Sequence, residues 1–275
     1  MTVEELIVLG KKYTSSTHAK MLLANFLEVN PLELLTILDK VVEEDKINLY
    51  KKSLEALKEN RPIQYVIGHV NFYGLQFKVN ENVLIPRFET EELVENIKNY
   101  LEKKNITNPK ILDLGCGSGV IGLTLKHFFP DSDVTLVDIS EDALKVAKEN
   151  ASNLNLDVNF LKSDWFSNIP LDKYDVIVSN PPYIKTNEEI EEIVKNNEPA
   201  LALYGGADGL DCYRKILKDI NKYLKDDYLI AFEIGYLEGN SLKELINNTI
   251  PNSKVTIKKD LSNKDRMLFV EKNID

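Results

Sequence analysis

Over the first sixty residues the apolar positions recur with a helical period. Val3, Leu6 and Ile7, then Met21-Leu22-Leu23, Phe26 and Leu27, then Leu34, Leu35 and Leu38 stand three and four apart, the spacing that stripes one face of a helix. Thr2 and Glu5 have the spacing of a capping box ahead of the first stripe. Pro31 stands where the first turn of a further helix tolerates it, and residues 47–59 supply another amphipathic stretch. Short striped helices must bury their stripes on one another, so a small helical bundle is expected over residues 1–64.

Arg61-Pro62 ends this rhythm. Between Tyr65 and Pro86 the chain alternates, with Phe72, Leu75, Phe77, Val79 and Val83-Leu84-Ile85 set between Gly68, Gly74 and Asn80. That pattern predicts a β-hairpin over 65–86 linking two domains. Residues 90–103 return to a helical period. From Lys110 onward, short apolar runs alternate with helical stretches. Strands are predicted at 111–114, 134–138, 159–162, 174–179, 228–234, 254–258 and 267–270, and helices at 120–129, 141–154, 210–224 and 242–246. Continuous apolar strands separated by helices predict an α/β domain over 87–275, a Rossmann-like and mostly parallel seven-stranded sheet covered on both faces. No internal repeat or low-complexity tract interrupts it.

Two loops at predicted strand ends carry chemistry. Asp113-Leu114-Gly115-Cys116-Gly117-Ser118-Gly119 leaves a strand and opens a helix. Glycines there permit a tight turn and close approach of a ligand to a helix N-terminus. Asp138 closes the next strand, where a carboxylate accepts from both hydroxyls of a ribose. The pair specifies a nucleoside-containing ligand, either a dinucleotide or S-adenosylmethionine. The G-x-G-x-G spacing departs from the dinucleotide fingerprint, and Asp113 ahead of it would suit a cationic methionine portion better than a pyrophosphate. Both features favour the methyl donor. In Ser163-Asp164-Trp165-Phe166, after the third strand, Trp165 would lie along an adenine and Asp164 accept from its amino group; the plainer reading makes Trp165 a core residue.

The second loop is Asn180-Pro181-Pro182-Tyr183, at the end of the strand 174–179. Two prolines stiffen the backbone and remove two N–H donors. What remains is a fixed set of acceptors, the Asn180 side-chain oxygen and nearby carbonyls, with Tyr183 as a flat apolar wall. That arrangement suits a planar NH₂ group, either a carboxamide or an exocyclic base amine. An amide nitrogen is a poor nucleophile, and acceptors on both of its hydrogens would raise its electron density and aim it at a methyl donor.

Bulk properties narrow the partners. Apolar residues at 43% and charged residues at 28% describe a folded globular chain. The formal charge is −10, and residues 1–75 account for only −1 of it, so the predicted α/β part carries −9. A surplus of that sign repels bare nucleic acid and attracts a Lys/Arg-rich partner, unless it serves solubility alone. Cys116 and Cys212 are too few for a disulfide framework, and His18, His69 and His127 form no cluster with them, so no metal is expected. With Glu4 and Glu5 in the opening segment and no long apolar run, a cytoplasmic protein without membrane contact is expected.

Taken together, these motifs resemble the bacterial release-factor glutamine methyltransferases. The resemblance lies in Arg61-Pro62-Ile63-Gln64-Tyr65-Val66-Ile67-Gly68, Phe72-Tyr73-Gly74-Leu75, Ile85-Pro86-Arg87-Phe88-Glu89-Thr90-Glu91, the Asp113-to-Gly119 loop, Ser163-Asp164-Trp165-Phe166, Asn180-Pro181-Pro182-Tyr183 and Glu198-Pro199-Ala200-Leu201-Ala202-Leu203. It implies a class I methyltransferase domain behind a helical N-terminal domain. It implies S-adenosylmethionine as methyl donor, S-adenosylhomocysteine as product, and the glutamine of a Gly-Gly-Gln motif in peptide chain release factors as acceptor. By position, Gly115, Cys116, Gly117, Ser118, Gly119, Asp138, Trp165 and Asn180 would bind the donor, and Asn180, Pro181, Pro182 and Tyr183 the substrate glutamine. The family commonly has Pro then Asp or Glu after Ile-Pro-Arg; this chain has Phe88-Glu89. A glutamine methyltransferase acting on a ribosomal protein, a nucleic-acid amino methyltransferase and a donor-sensing module are the rival readings.

Overall fold

The computed structural model describes residues 1–272, which divide into two compact units. The first comprises Met1–His69 together with Glu191–Asn197, and the second Val70–Ile190 with Glu198 onward.

In the first unit α1 (Val3–Gly10), α2 (Ser16–Leu27), α3 (Glu44–Lys58) and α4 (Ile63–Ile67) enclose a core of Val3, Leu6, Leu22, Leu23, Leu34 and Leu54. The capping box forms, with Glu5 N–H donating to Thr2 Oγ1 and Thr2 N–H to Glu5 Oε2. Tyr50 is fully buried and donates within reach of the carbonyls of Leu6 and Ala19, tying three helices to one hydroxyl. Burial lifts its phenol to about 12. The helix expected after Pro31 is only a 3₁₀ turn, Glu33–Thr36. Asn30 Oδ1 accepts from Leu32 N–H, and Leu35 faces solvent, so the apolar residues there do not share one face.

The segment 65–86 also differs from the expected hairpin. Tyr65 lies in α4, which Gly68 ends in a left-handed cap. The strands β1 (His69–Phe72) and β2 (Leu75–Lys78) are short, and residues 79–86 form no strand. Phe72 and Phe77 meet edge to face, and their rings pack into the second unit's core, making the hairpin part of that unit.

The chain continues through α5 (Phe88–Lys103), β3 (Lys110–Leu114), α6 (Val120–Phe128), β4 (Asp133–Asp138), α7 (Glu141–Asn153), β5 (Asn159–Lys162), β6 (Tyr174–Ser179), α8 (Glu192–Asn197, in the first unit), α9 (Asp211–Ile220), β7 (Leu224–Glu233), α10 (Gly239–Thr249), β8 (Ser253–Lys259) and β9 (Asp265–Lys272). The seven strands are ordered β5-β4-β3-β6-β7-β9-β8, parallel except for β9, which runs against both neighbours. Apolar clusters lie on both faces: Leu93, Ile97, Leu123 and Leu136 on one, Tyr213, Ile216, Leu242 and Phe232 on the other. The helix expected over 210–224 stops at Ile220. The carbonyl of Tyr223 accepts from Tyr174 N–H, which draws Leu224 into the sheet.

Strand order reverses at β3, which has β4 on one side and β6 on the other. In open α/β sheets, the crevice beyond the carboxyl ends at such a point is where ligands bind. Gly115, Asp138 and Asn180 all stand at those ends.

Candidate active site

A cleft of about 920 Å³ opens at the switch point. Of the residues singled out from sequence, Gly115, Cys116, Gly117, Ser118, Asp138, Trp165, Asn180 and Pro182 line it, whereas Gly119, Pro181 and Tyr183 do not.

The glycine loop is held from behind. The N–H groups of Gly115 and Cys116 both donate to the Val137 carbonyl, and Gly119 N–H closes a turn on Cys116. Gly115, Gly117 and Gly119 all have positive φ, the region where glycine alone carries no Cβ penalty. A Cβ on Gly117 would meet nothing within 4 Å, so that backbone faces open cleft. Gly119 instead lies under α6, against Leu123, Ala147 and Leu136. Asp138 accepts from Gly117 N–H at 2.9 Å with one oxygen and from Ser140 N–H at 2.8 Å with the other. Each oxygen keeps acceptor capacity. Burial raises the Asp138 carboxyl, and the backbone bonds from Ser140 and Gly117 oppose that rise. Burial also lifts the Cys116 thiol well above its ordinary value.

Asp113 does not face the cleft, contrary to the expectation from sequence. It is fully buried, one oxygen accepts from Gly122 N–H at 3.0 Å, and among the described residues the other has no hydrogen-bond partner. Burial raises this carboxyl to about 7.

Trp165 combines both readings made of it. Its ring packs on the core cluster that holds Phe166, lines the cleft, and lies 3.7 Å from the Cβ position of Gly115. Its φ of 50° is uncommon for a bulky side chain and holds the ring at the loop.

Asn180 follows β6, whose last residue donates from Ser179 Oγ to the Leu114 carbonyl and locks the two strand ends together. The Asn180 Nδ2 lies 3.5 Å from Thr90 Oγ1, and Thr90 Oγ1 donates to Glu233 Oε2 at 2.6 Å. Glu233 is 1% exposed at the end of β7. Burial raises its carboxyl to about 6, opposed by Thr90, Arg266 and Tyr183. Tyr183 is not the expected wall of the cleft. Its hydroxyl donates to Glu233 Oε1 at 3.4 Å and accepts from Arg266 at 3.4 Å, bracketing the proline loop to β7 and β9.

Two further braces were not read from sequence. Glu198, whose side chain is 2% exposed, accepts from Ile85 N–H at 3.1 Å and from Arg87 at 2.6 Å, joining the Ile85-Pro86-Arg87 and Glu198-Pro199-Ala200 segments at the cleft wall. Residues 203–206 run beside 184–186 with reciprocal backbone bonds between Ile184 and Leu203, Gly205 and Ile184, and Thr186 and Gly206. Phe88, the departure from the family pattern, is 83% exposed at the start of α5. Glu233 had a signal in the sequence, a carboxylate closing an apolar strand.

The chain matches the family model described as PrmC N-terminal domain over residues 9–68 and the one described as Methyltransferase small domain over residues 89–205. It is 44% identical over 238 residues to the release factor glutamine methyltransferase of Streptococcus pneumoniae, covering 86% of this chain and 84% of that one. To the protein of that name in Bacillus subtilis it is 39% identical over 249 residues, covering 88% and 86%. A solved methyltransferase from Pyrococcus furiosus shares the fold at 20% identity and a TM-score of 0.51, covering 74% of this chain and 91% of that one.

Proposed function

Because this chain belongs to the release factor glutamine methyltransferase family, whose members are S-adenosylmethionine-dependent enzymes, we propose that it methylates the side-chain amide nitrogen of the glutamine in the Gly-Gly-Gln motif of peptide chain release factors. The observation that carries the reading is that Asn180 and Pro182 line the same cleft as Gly117, Asp138 and Trp165. Acceptors suited to an amide thereby stand beside a loop suited to a nucleoside.

The residues present fit the methyl donor. The open backbone at Gly117 leaves room where a Cβ would intrude, Asp138 retains lone pairs for ribose hydroxyls, and Trp165 offers a flat face. When bound, S-adenosylmethionine supplies an electrophilic methyl group and leaves as S-adenosylhomocysteine. Gly115, Cys116, Gly117 and Ser118 form the cradle, with Gly119 shaping the turn from behind.

Asn180 Oδ1 and a carbonyl of the Pro181-Pro182 pair accept the two hydrogens of the substrate amide. Both bonds pull electron density onto a nitrogen whose lone pair is otherwise delocalised. They also hold it at about 3–3.5 Å along the line of attack, the near-attack separation. Acceptors fixed before reaction need no reorganisation as positive charge develops on that nitrogen. The surplus proton departs to water. Tyr183 contributes through rigidity, tying the loop to Glu233 and Arg266.

The helical first unit would dock other parts of the release factor, and the acidic α/β part would favour a basic protein surface over bare nucleic acid. That substrate places the enzyme in the cytoplasm. Incubation with labelled donor and purified release factor tests the reading: label should enter the wild-type factor and not one whose Gly-Gly-Gln glutamine is alanine. Equal labelling of both would overturn it.

A further inference from the structure

Thr90, in the motif Glu89-Thr90-Glu91, and the buried Glu233 meet beside Asn180. We propose that Thr90, which also lines the cleft, and Glu233 are positioning residues that fix which way the Asn180 amide faces, holding its NH₂ on the Thr90 hydroxyl and leaving its oxygen free to accept. The inference rests on the reading of Asn180 as the acceptor of the substrate amide.

The supply of hydrogens decides the orientation. A threonine hydroxyl has a single hydrogen, and an ionised carboxylate only accepts. Thr90 Oγ1 stands 2.6 Å from Glu233 Oε2, so its hydrogen is committed to that carboxylate. Toward Asn180, then, Thr90 offers lone pairs alone. The end of the Asn180 amide that faces it at 3.5 Å must be the NH₂, and Oδ1 is turned to the opposite side. The orientation that exposes an acceptor to the substrate is thus set two residues back by a buried negative charge.

The carboxylate is held in turn. Tyr183 donates to its other oxygen at 3.4 Å, Tyr213 donates to the Glu233 backbone carbonyl at 2.6 Å, and Arg266 and Glu89 act on it with opposite sign. The groups acting on the carboxylate, Thr90 and Glu89 of α5, Tyr183 of the proline loop and Arg266 of β9, come from three separate parts of the chain. Protonation would reverse the chain. A carboxylic acid would donate to Thr90, freeing the hydroxyl hydrogen for Asn180 Oδ1, so that the NH₂ rather than the oxygen would be offered to the substrate. Two donors would then face each other at the substrate amide. Because burial raises Glu233 to about 6, turnover should fall as pH drops through that region.

The test measures kcat, KM and donor affinity for Thr90→Val, Thr90→Ser, Glu233→Gln and Asn180→Ala, with release factor as substrate. Thr90→Val should lower kcat roughly tenfold to a hundredfold, the scale of a misaligned near-attack geometry, while donor affinity changes less than about twofold. Thr90→Ser, which keeps the hydroxyl, should recover most of the loss. Glu233→Gln should lack the acid limb near pH 6 expected of the parent. Wild-type turnover in Thr90→Val beside an inactive Asn180→Ala would overturn the relay and leave the role of Asn180 standing. A serine variant as slow as the valine one, or an acid limb unchanged by Glu233→Gln, would also overturn it. Full activity in Asn180→Ala would instead bring down the proposed function.

Discussion

The position at which Gly205 would carry a Cβ lies 2.5 Å from the carbonyl oxygen of Pro182 and 2.8 Å from Cα of Tyr183. No real side chain tolerates such contacts with backbone, so only glycine lets residues 203–206 close against the proline loop. Gly205→Ala should push that loop toward the cleft, costing about 1–3 kcal/mol of stability as overpacking does and lowering kcat by more than about tenfold. Thermal unfolding and steady-state kinetics check both. Unchanged kcat would mean that the loop's placement does not depend on this brace.

Gly117 and Gly122 should separate binding from stability. A Cβ on Gly122 would stand 2.2 Å from Leu136 and 3.1 Å from Asp113, so Gly122→Ala should destabilise by about 1–3 kcal/mol. Gly117 has open space around it and a φ of 54°. Gly117→Ala should cost only about 1–2 kcal/mol of backbone strain yet weaken donor binding by more than about tenfold, the effect expected where backbone must approach a ligand. Calorimetric titration with the donor and urea unfolding would distinguish the two. Equal donor affinity for Gly117→Ala and the parent would contradict the cradle.

Much of this organisation was legible in the chain. Apolar runs located all seven strands, and the two loops bearing chemistry stand at carboxyl ends beside the reversal of strand order. Less legible was whatever depends on distant pairing. Thr90 and Glu233 are 143 residues apart and meet only because α5 packs against β7. Tyr183 reads as an aromatic wall until Arg266 and Glu233 draw its hydroxyl to the sheet. Asp113 read as ligand-facing because it precedes the glycines, but side chains alternate across a strand, and its carboxylate turns to Gly122. The start of β7 hid behind Lys225-Asp226-Asp227, whose exposed charges mask a strand interior only from Tyr228 onward.

Asp113 also makes stability depend on pH. Its carboxyl rises from 3.8 to about 7 on folding, so the folded state binds this proton more tightly than the unfolded one. For a raised acid, stability is greatest below about 4 and falls as pH climbs to about 7, beyond which no further loss comes from this group. Glu233, raised from 4.5 to about 6, acts in the same direction. Urea unfolding of the parent and Asp113→Asn across this window should show a difference in slope amounting to a few kcal/mol, on the order given by linkage. Parallel curves would show that the buried carboxyl titrates normally.

The helical unit, with a core of its own, is proposed to grip the release factor away from the reacting glutamine. Removing residues 1–60 should weaken binding of the whole factor more than that of a short Gly-Gly-Gln peptide. Equal losses for both substrates would refute a docking role.

Where the methyl group goes decides between glutamine methylation and every rival reading. Mass spectrometry of release factor after reaction should find a single added methyl on the side-chain amide of the Gly-Gly-Gln glutamine, and none after reaction with Asn180→Ala. A factor left unmodified at that glutamine, or methylated at another residue, would rule out glutamine methylation as this enzyme's reaction.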